Sequence, residues 1–259
     1  MHVALLVAVG LAVAAALRST WSPCGLSMLS TITPMAERGR GHRFGATASW
    51  YLAGAVIGGL TLGGLMAVLA LAVRALAVGE RALAVTALVG TIVVVCSDTG
   101  IGGFSLPVHR RQVNERWLDQ YRPWVYGAGF GWQIGTGLST YIMTSAVYLL
   151  VLLAALSGDP TTAMLLGVLF GTVRGLAVFL GAAITDPDAL RAFHGRFIAV
   201  GAGVAVATVL VEVLAAVSLA WVLAPWVALL VTVGALLCVN PGRIGQRAPV
   251  ENDSTVAAG

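Results

Sequence analysis

The sequence predicts an all-α, polytopic membrane protein, and three observations carry that prediction. Apolar residues fill 58% of the 259 positions and charged residues only 10%, too little polar surface for a soluble domain of this size. Apolar runs of about 20 residues recur, the length a helix needs to cross the hydrocarbon layer. These runs are continuous rather than alternating, and in hydrocarbon a continuous apolar segment satisfies its own backbone only as a helix.

Taken in order, the runs place about seven transmembrane helices at 3–33, 46–73, 82–106, 124–156, 162–184, 197–222 and a short last one at 225–239. The last two are separated only by Glu212 and the Ala224-Pro225 step, so a bent hairpin or six spans is the alternative there. The first run lacks the basic leader of a cleaved signal peptide and its apolar character resumes after Trp21, so it reads as a membrane helix. The transmembrane domain covers 1–240, and 241–259 reads as a short, polar, disordered tail.

All fifteen basic residues are Arg, and they divide unequally between alternate loops. One set of loops with the tail holds Arg38, Arg40, Arg43, Arg110, Arg111, Arg116, Arg122, Arg191, Arg196, Arg243 and Arg247; the other holds Arg74 and Arg81. Basic loops stay on the cytoplasmic side, which predicts a multi-pass protein of the plasma or inner membrane with its N-terminus outside and its tail in the cytoplasm. The net charge of +4 is then a matter of topology and anionic lipid, and no nucleic-acid binding follows from it.

Two runs exceed the length a crossing needs, and each carries helix-breaking residues near its middle. In the first, Thr20-Trp21-Ser22-Pro23-Cys24-Gly25 offers Ser22 as a cap and Pro23 as the first residue of a new half-helix. In the fourth, Gly127, Gly129, Gly131, Gly135 and Gly137 mark the break, unless they serve close packing instead. The two breaks echo one another: Trp21-Ser22-Pro23-Cys24-Gly25-Leu26-Ser27 beside Trp132-Gln133-Ile134-Gly135-Thr136-Gly137-Leu138-Ser139, with one residue inserted. Repeats at about 1–106 and 124–222, each with an odd number of helices, face opposite ways. This is a three-plus-three inverted repeat with a working site between its broken helices.

On Ser22-Pro23-Cys24 in a broken first helix, Gly131-Trp132 in the matching element and the three-plus-three layout, the chain resembles the cytochrome c biogenesis and thiol-disulfide transmembrane proteins of the CcdA/DsbD type. The resemblance implies electron transfer across the membrane from a thioredoxin-like partner, through one cysteine in each broken helix. Cys24 stands where the first would be, and a thiol at a half-helix start is activated by the helix dipole. The second is missing, since Gly135 or Thr136 occupies its place. Cys96, midway along the third run, is the other candidate redox cysteine; Cys24 acting alone is a second route, and loss of redox work a third. Cys238 reads as apolar filler.

Ionisable residues at membrane depth point to a different chemistry. Asp98, Arg174 and Glu212 lie inside the third, fifth and sixth runs, and Arg18 lies just before the first break. Such charges face a partner or a wet cavity; Arg174 with Glu212 and Arg18 with Asp98 are the expected pairs. They serve either as ion pairs holding the bundle or as an ion or anionic-solute path. Ser27, Ser30, Thr31, Thr33, Ser97, Thr99, Ser139, Thr140, Thr144 and Ser145 surround the same breaks.

No Cys-x-x-Cys, metal-binding histidine set, phosphate-binding loop or nucleophile elbow occurs, so neither cofactor nor metal is expected. The segment 109–122, with Trp117 and Tyr121, reads as an amphipathic interfacial stretch that anchors on the lipid surface or, as the alternative, docks a cytoplasmic partner. Three functions stay open: thiol-disulfide transfer, transport of a small solute or ion, and a non-catalytic membrane assembly subunit.

Overall fold

The computed structural model of the chain describes residues 2–107, 117–139, 142–238 and 244. Helices dominate these residues and no strand occurs among them. In order they are α1 (His2–Thr20), α2 (Pro23–Thr31), α3 (Pro34–Gly39), α4 (Phe44–Ala75), α5 (Glu80–Thr99), α6 (Trp117–Gln120), α7 (Pro123–Thr136), α8 (Ala146–Leu156), α9 (Pro160–Leu176), α10 (Pro187–Leu223) and α11 (Pro225–Cys238). A 3-10 segment, Ala177–Ala183, prolongs α9.

Four helix starts use one local device, a side-chain oxygen followed by proline. Ser22, Thr33, Asp159 and Asp186 accept from the backbone N–H groups of Gly25 (3.1 Å), Ala36 (3.1 Å), Thr161 and Thr162 (3.1 Å each) and Ala189 (2.8 Å). The proline that follows each has no N–H to leave idle in the first turn.

Among the described residues, four helical segments are long and apolar enough to cross a bilayer: Phe44–Ala75, Glu80–Thr99, Pro160–Ala183 and Pro187–Leu223. The pair α1 and α2, bent by 68° at the break, makes a fifth when counted as one span. Against the seven spans expected, four or five segments among the described residues thus qualify by length and composition. Helices α8 and α11 have 11 and 14 residues; at 1.5 Å per residue they reach about 16 and 21 Å, short of the ~30 Å hydrocarbon core. The third span ends at Thr99 rather than near 106, because Gly100 turns left-handed at φ 68° and closes the helix. The sixth begins at Pro187, well before 197.

The fourth element breaks at the last of its five glycines, Gly137. Gly127, Gly129, Gly131 and Gly135 lie inside the continuous α7, and the chain leaves the helix only at Gly137, at φ 66°. The earlier glycines serve packing. Gly131 and Gly135 sit against the carbonyls of Tyr51 and Ala55 on α4, and Gly54 and Gly58 of α4 sit against the backbone of Ala128 and Trp132 on α7. On the other flank, Gly59 and Gly63 of α4 meet Gly167 and Met164 of α9. A side chain at any of these positions collides with neighbouring backbone, so α4 is clamped between α7 and α9 by small residues.

Helices α4 and α9 pack on one another, and so do α5 and α10. Around them Ile57, Leu60, Leu65, Val68 and Leu71 of α4, Val89 and Ile92 of α5, and Leu210 and Leu214 of α10 stand exposed. A surface of this kind fits hydrocarbon rather than water.

Candidate functional site

Breaking a membrane helix leaves carbonyls at one new end and N–H groups at the other, and both must be satisfied without bulk water. Arg174, on α9 and almost wholly buried, answers the first need. Its Nη1 donates to the Ile134 carbonyl at 2.6 Å and its Nη2 to the Ser19 carbonyl at 3.2 Å. Those carbonyls belong to the last turns of α7 and α1, so one guanidinium sits at the negative ends of both first half-helices. Its carbon also stands 5.6 Å from the centre of the Phe170 ring.

The second need is answered by Asp98 on α5. Its Oδ1 accepts from the Ser145 N–H at 2.8 Å, and its Oδ2 accepts from the same N–H at 3.1 Å and from the Thr144 hydroxyl. The carboxyl thereby caps the start of α8, where the helix dipole favours negative charge. Ser97 links to Ser145 at 2.7 Å and accepts from the Leu106 N–H at 2.9 Å, which holds the following loop in place.

Asp98 borders a cavity of about 170 Å³ lined by Arg18, Ser97, Thr144, Ser145, Tyr148 and Thr208 among others. Arg18 is only 6% exposed, and its Nη1 has no hydrogen-bond partner among the described residues. Glu212 of α10 is fully buried, with Asp98 as its electrostatic neighbour. The expected pairings are corrected: ion pairs among the described residues are Glu37 with Arg40 and His42, and Asp188 with Arg191. Arg174 meets helix carbonyls rather than Glu212, its Nε being without a partner among the described residues, and Arg18 faces Asp98 across the cavity at electrostatic rather than contact range.

Cys24 lies in the first turn of α2, buried with Met28, Ile32, Tyr51, Tyr126 and Phe130. Arg174 and Tyr51 are its electrostatic neighbours. Cys96 is part-buried on α5, and both cysteines are thiols. Gly135 and Thr136, which stand in the second cysteine's place, are taken up by the α4 contact and by the end of α7, where the Thr136 hydroxyl meets Ser139 at 2.5 Å. The two echo tryptophans do different work. Trp21 stacks on Phe197 with centroids 4.5 Å apart and donates to its carbonyl at 2.7 Å, while Trp132 is 43% exposed and donates to Thr61 at 3.1 Å.

Sequence reasoning missed Glu37. It sits in a short basic stretch that reads as a solvated loop, yet it is fully buried. Arg40 donates to it at 3.1 Å, Thr47 at 2.5 Å and Tyr126 at 2.9 Å to both oxygens, which ties α3 to α4 and α7. The Thr33-Pro34 cap was the available signal for a helix here; burial had none. Residues 109–116, Thr140, the side chain of Cys238, Arg243, Arg247 and the rest of the tail lie outside the description.

Fold and site together define a polytopic α-helical membrane protein whose broken helices are held by a buried cation and a capping carboxyl beside a polar cavity. Among curated proteins the chain is similar to the methylamine utilization protein MauF of Paracoccus denitrificans, 34% identical over 199 residues that make up 68% of this chain and 64% of that protein. It is also similar to MauF of Paracoccus versutus, 29% identical over 75% of this chain and 71% of that protein. The chain thus spans just under two thirds of the first relative. No family model matches it, and no solved structure does.

Proposed function

We propose that the protein is a membrane transporter of a small solute that serves methylamine utilization, with the cavity between α1, α5, α8 and α10 as its solute site. The observation that carries this reading is a buried donor on the wall of that cavity, Arg18 Nη1, which has no hydrogen-bond partner among the described residues. Buried polar atoms are rarely left unsatisfied unless water, an ion or a ligand meets them. Charged groups at membrane depth that are not consumed in ion pairs are the usual mark of a solute or ion path. The relatives' names supply the process, and the arginine distribution supports the tail on the cytoplasmic side.

The test is growth on methylamine of a strain whose own copy is replaced by variants, with membrane abundance measured alongside. R18Q and E212Q are expected to abolish growth at normal abundance, and C24S to leave it intact. The opposite pattern moves the function to the thiol.

That second reading has one observation in its favour, the placement of Cys24 at a half-helix start within range of the Arg174 charge. On this reading Cys24 exchanges with a thioredoxin-like partner, and trapping a mixed disulfide with that partner is the result that supports it.

A further inference from the structure

We infer that the cavity binds a small zwitterion of the amino-acid type, its carboxylate on Arg18 and its ammonium on Asp98. This rests on the transport reading above for the solute's passage and deepens it by assigning the substrate class.

The cavity has two poles of opposite chemistry. At one stands Arg18, whose buried Nη1 is a donor with no partner among the described residues. A guanidinium only donates, keeps its charge and matches a carboxylate in shape. At the other stands Asp98, part-buried in the lining and capping the start of α8, where the helix dipole favours its charged form. Its oxygens take three bonds from Ser145 and Thr144, of which Oδ1 takes one. A carboxylate accepts about four in all, so Oδ1 keeps room for another donor. Two nearby hydroxyls act in the same sense. Tyr148 and Thr208 already donate to the carbonyls of Pro107 (3.0 Å) and Val204 (2.9 Å), so toward a solute both can only accept. An ammonium, with its three N–H donors, fits this pole.

The two poles do not satisfy one another by contact, since no ion pair joins Arg18 to Asp98 among the described residues. A solute with a single charge meets one pole and is repelled by the other, and within a membrane that repulsion is weakly screened. A solute carrying both signs meets both poles and leaves the charge of the site unchanged. Glu212 is not part of the lining and takes no role in this binding. Size narrows the class further. A cavity of about 170 Å³ has room for about five or six water-sized groups, as many as glycine or alanine has non-hydrogen atoms. Ile142 and Val209 give the cavity an apolar side for a methyl group.

The experiment measures binding of labelled probes to the purified full chain, and their uptake once it is placed in phosphatidylethanolamine–phosphatidylglycerol vesicles. The probes are glycine and alanine, then propionate, which is alanine without its ammonium, ethylammonium, which is alanine without its carboxylate, and acetamide, which is polar but uncharged. Glycine or alanine is expected to bind about ten-fold or more tightly than the other three, the loss of one charge-assisted contact. R18Q should lose alanine and come to bind ethylammonium; D98N should lose alanine and come to bind propionate. A merely structural role for either residue produces no such exchange of selectivity. Should D98N fail to fold, the exchange in R18Q decides alone. Equal or tighter binding of propionate, ethylammonium or acetamide in wild type overturns the inference, as does alanine affinity unchanged in R18Q, or no binding of glycine and alanine at all. Uptake of propionate or ethylammonium without alanine binding overturns it while leaving the transport reading standing. Alanine binding without uptake upholds the site and overturns the transport reading instead.

Discussion

Arg174 concentrates the problem of breaking a helix inside a membrane into one side chain. Its two carbonyl contacts replace backbone bonds that the breaks remove, and a charge-assisted bond of this kind contributes about 1.5–3 kcal/mol. R174M should therefore lower stability by about 3 kcal/mol or more, since it also strands two buried carbonyls. Thermal unfolding in detergent checks this, and R174K should recover part of the loss because one ammonium cannot span both helix ends as the planar fork does. Tyr126→Phe, which deletes one donor to the buried Glu37, should cost about 1–2 kcal/mol in the same assay. An effect near zero would mean that the other donors to Glu37 suffice.

At the same scale, two exposed caps make stability depend on pH in a definite direction. Asp159 is held below the usual carboxylate range by the Thr162 hydroxyl and nearby N–H groups, and Asp186 by the Ala189 N–H. A carboxyl with a lowered folded-state pKa stabilises above its unfolded value, about 4, and loses that contribution as pH falls through the folded value. Amide exchange in the first turns of α9 and α10 should accelerate in that acid window, and an Asp186→Asn variant should show no such step in α10.

At the scale of elements, the clamp on α4 depends on absent side chains. Gly131 faces the Tyr51 carbonyl and Gly59 faces Gly167, so G131V or G59V forces whole helices apart rather than one side chain aside. Loss of the monodisperse species in size-exclusion chromatography is the expected outcome. G64V should be silent there, because that face of α4 meets nothing within 4 Å. The same contrast explains why sequence could not single out Gly137 from the four glycines before it. Glycine permits both a break and a close helix contact, and the two uses look alike until the partner helix is known. Gly137 breaks the helix because it turns left-handed; Gly131 only admits a neighbour. Ser22-Pro23, in contrast, was legible, since capping is decided within one turn of chain.

Across the whole molecule, the exposed apolar faces of α4, α5 and α10 surround an interior that holds Arg18, Asp98, Arg174 and Glu212. Reporter fusions at the two termini should place the N-terminus outside and the tail in the cytoplasm; the reverse result would mean that the arginine bias does not set orientation here. Composition and run length were enough to establish an all-helical chain that lives in lipid, because the cost of unsatisfied backbone in hydrocarbon leaves no other fold for such runs. Local chemistry likewise marked the first break and the buried charges worth watching. Tertiary structure alone decided their partners. Arg174 turned to helix carbonyls, Asp98 to the start of α8, and Glu37 from an apparent surface loop to a buried hub. Each of these bonds joins residues far apart in the chain. The electrostatics that select them depend on which helix ends meet, a property of packing that no single segment of sequence carries.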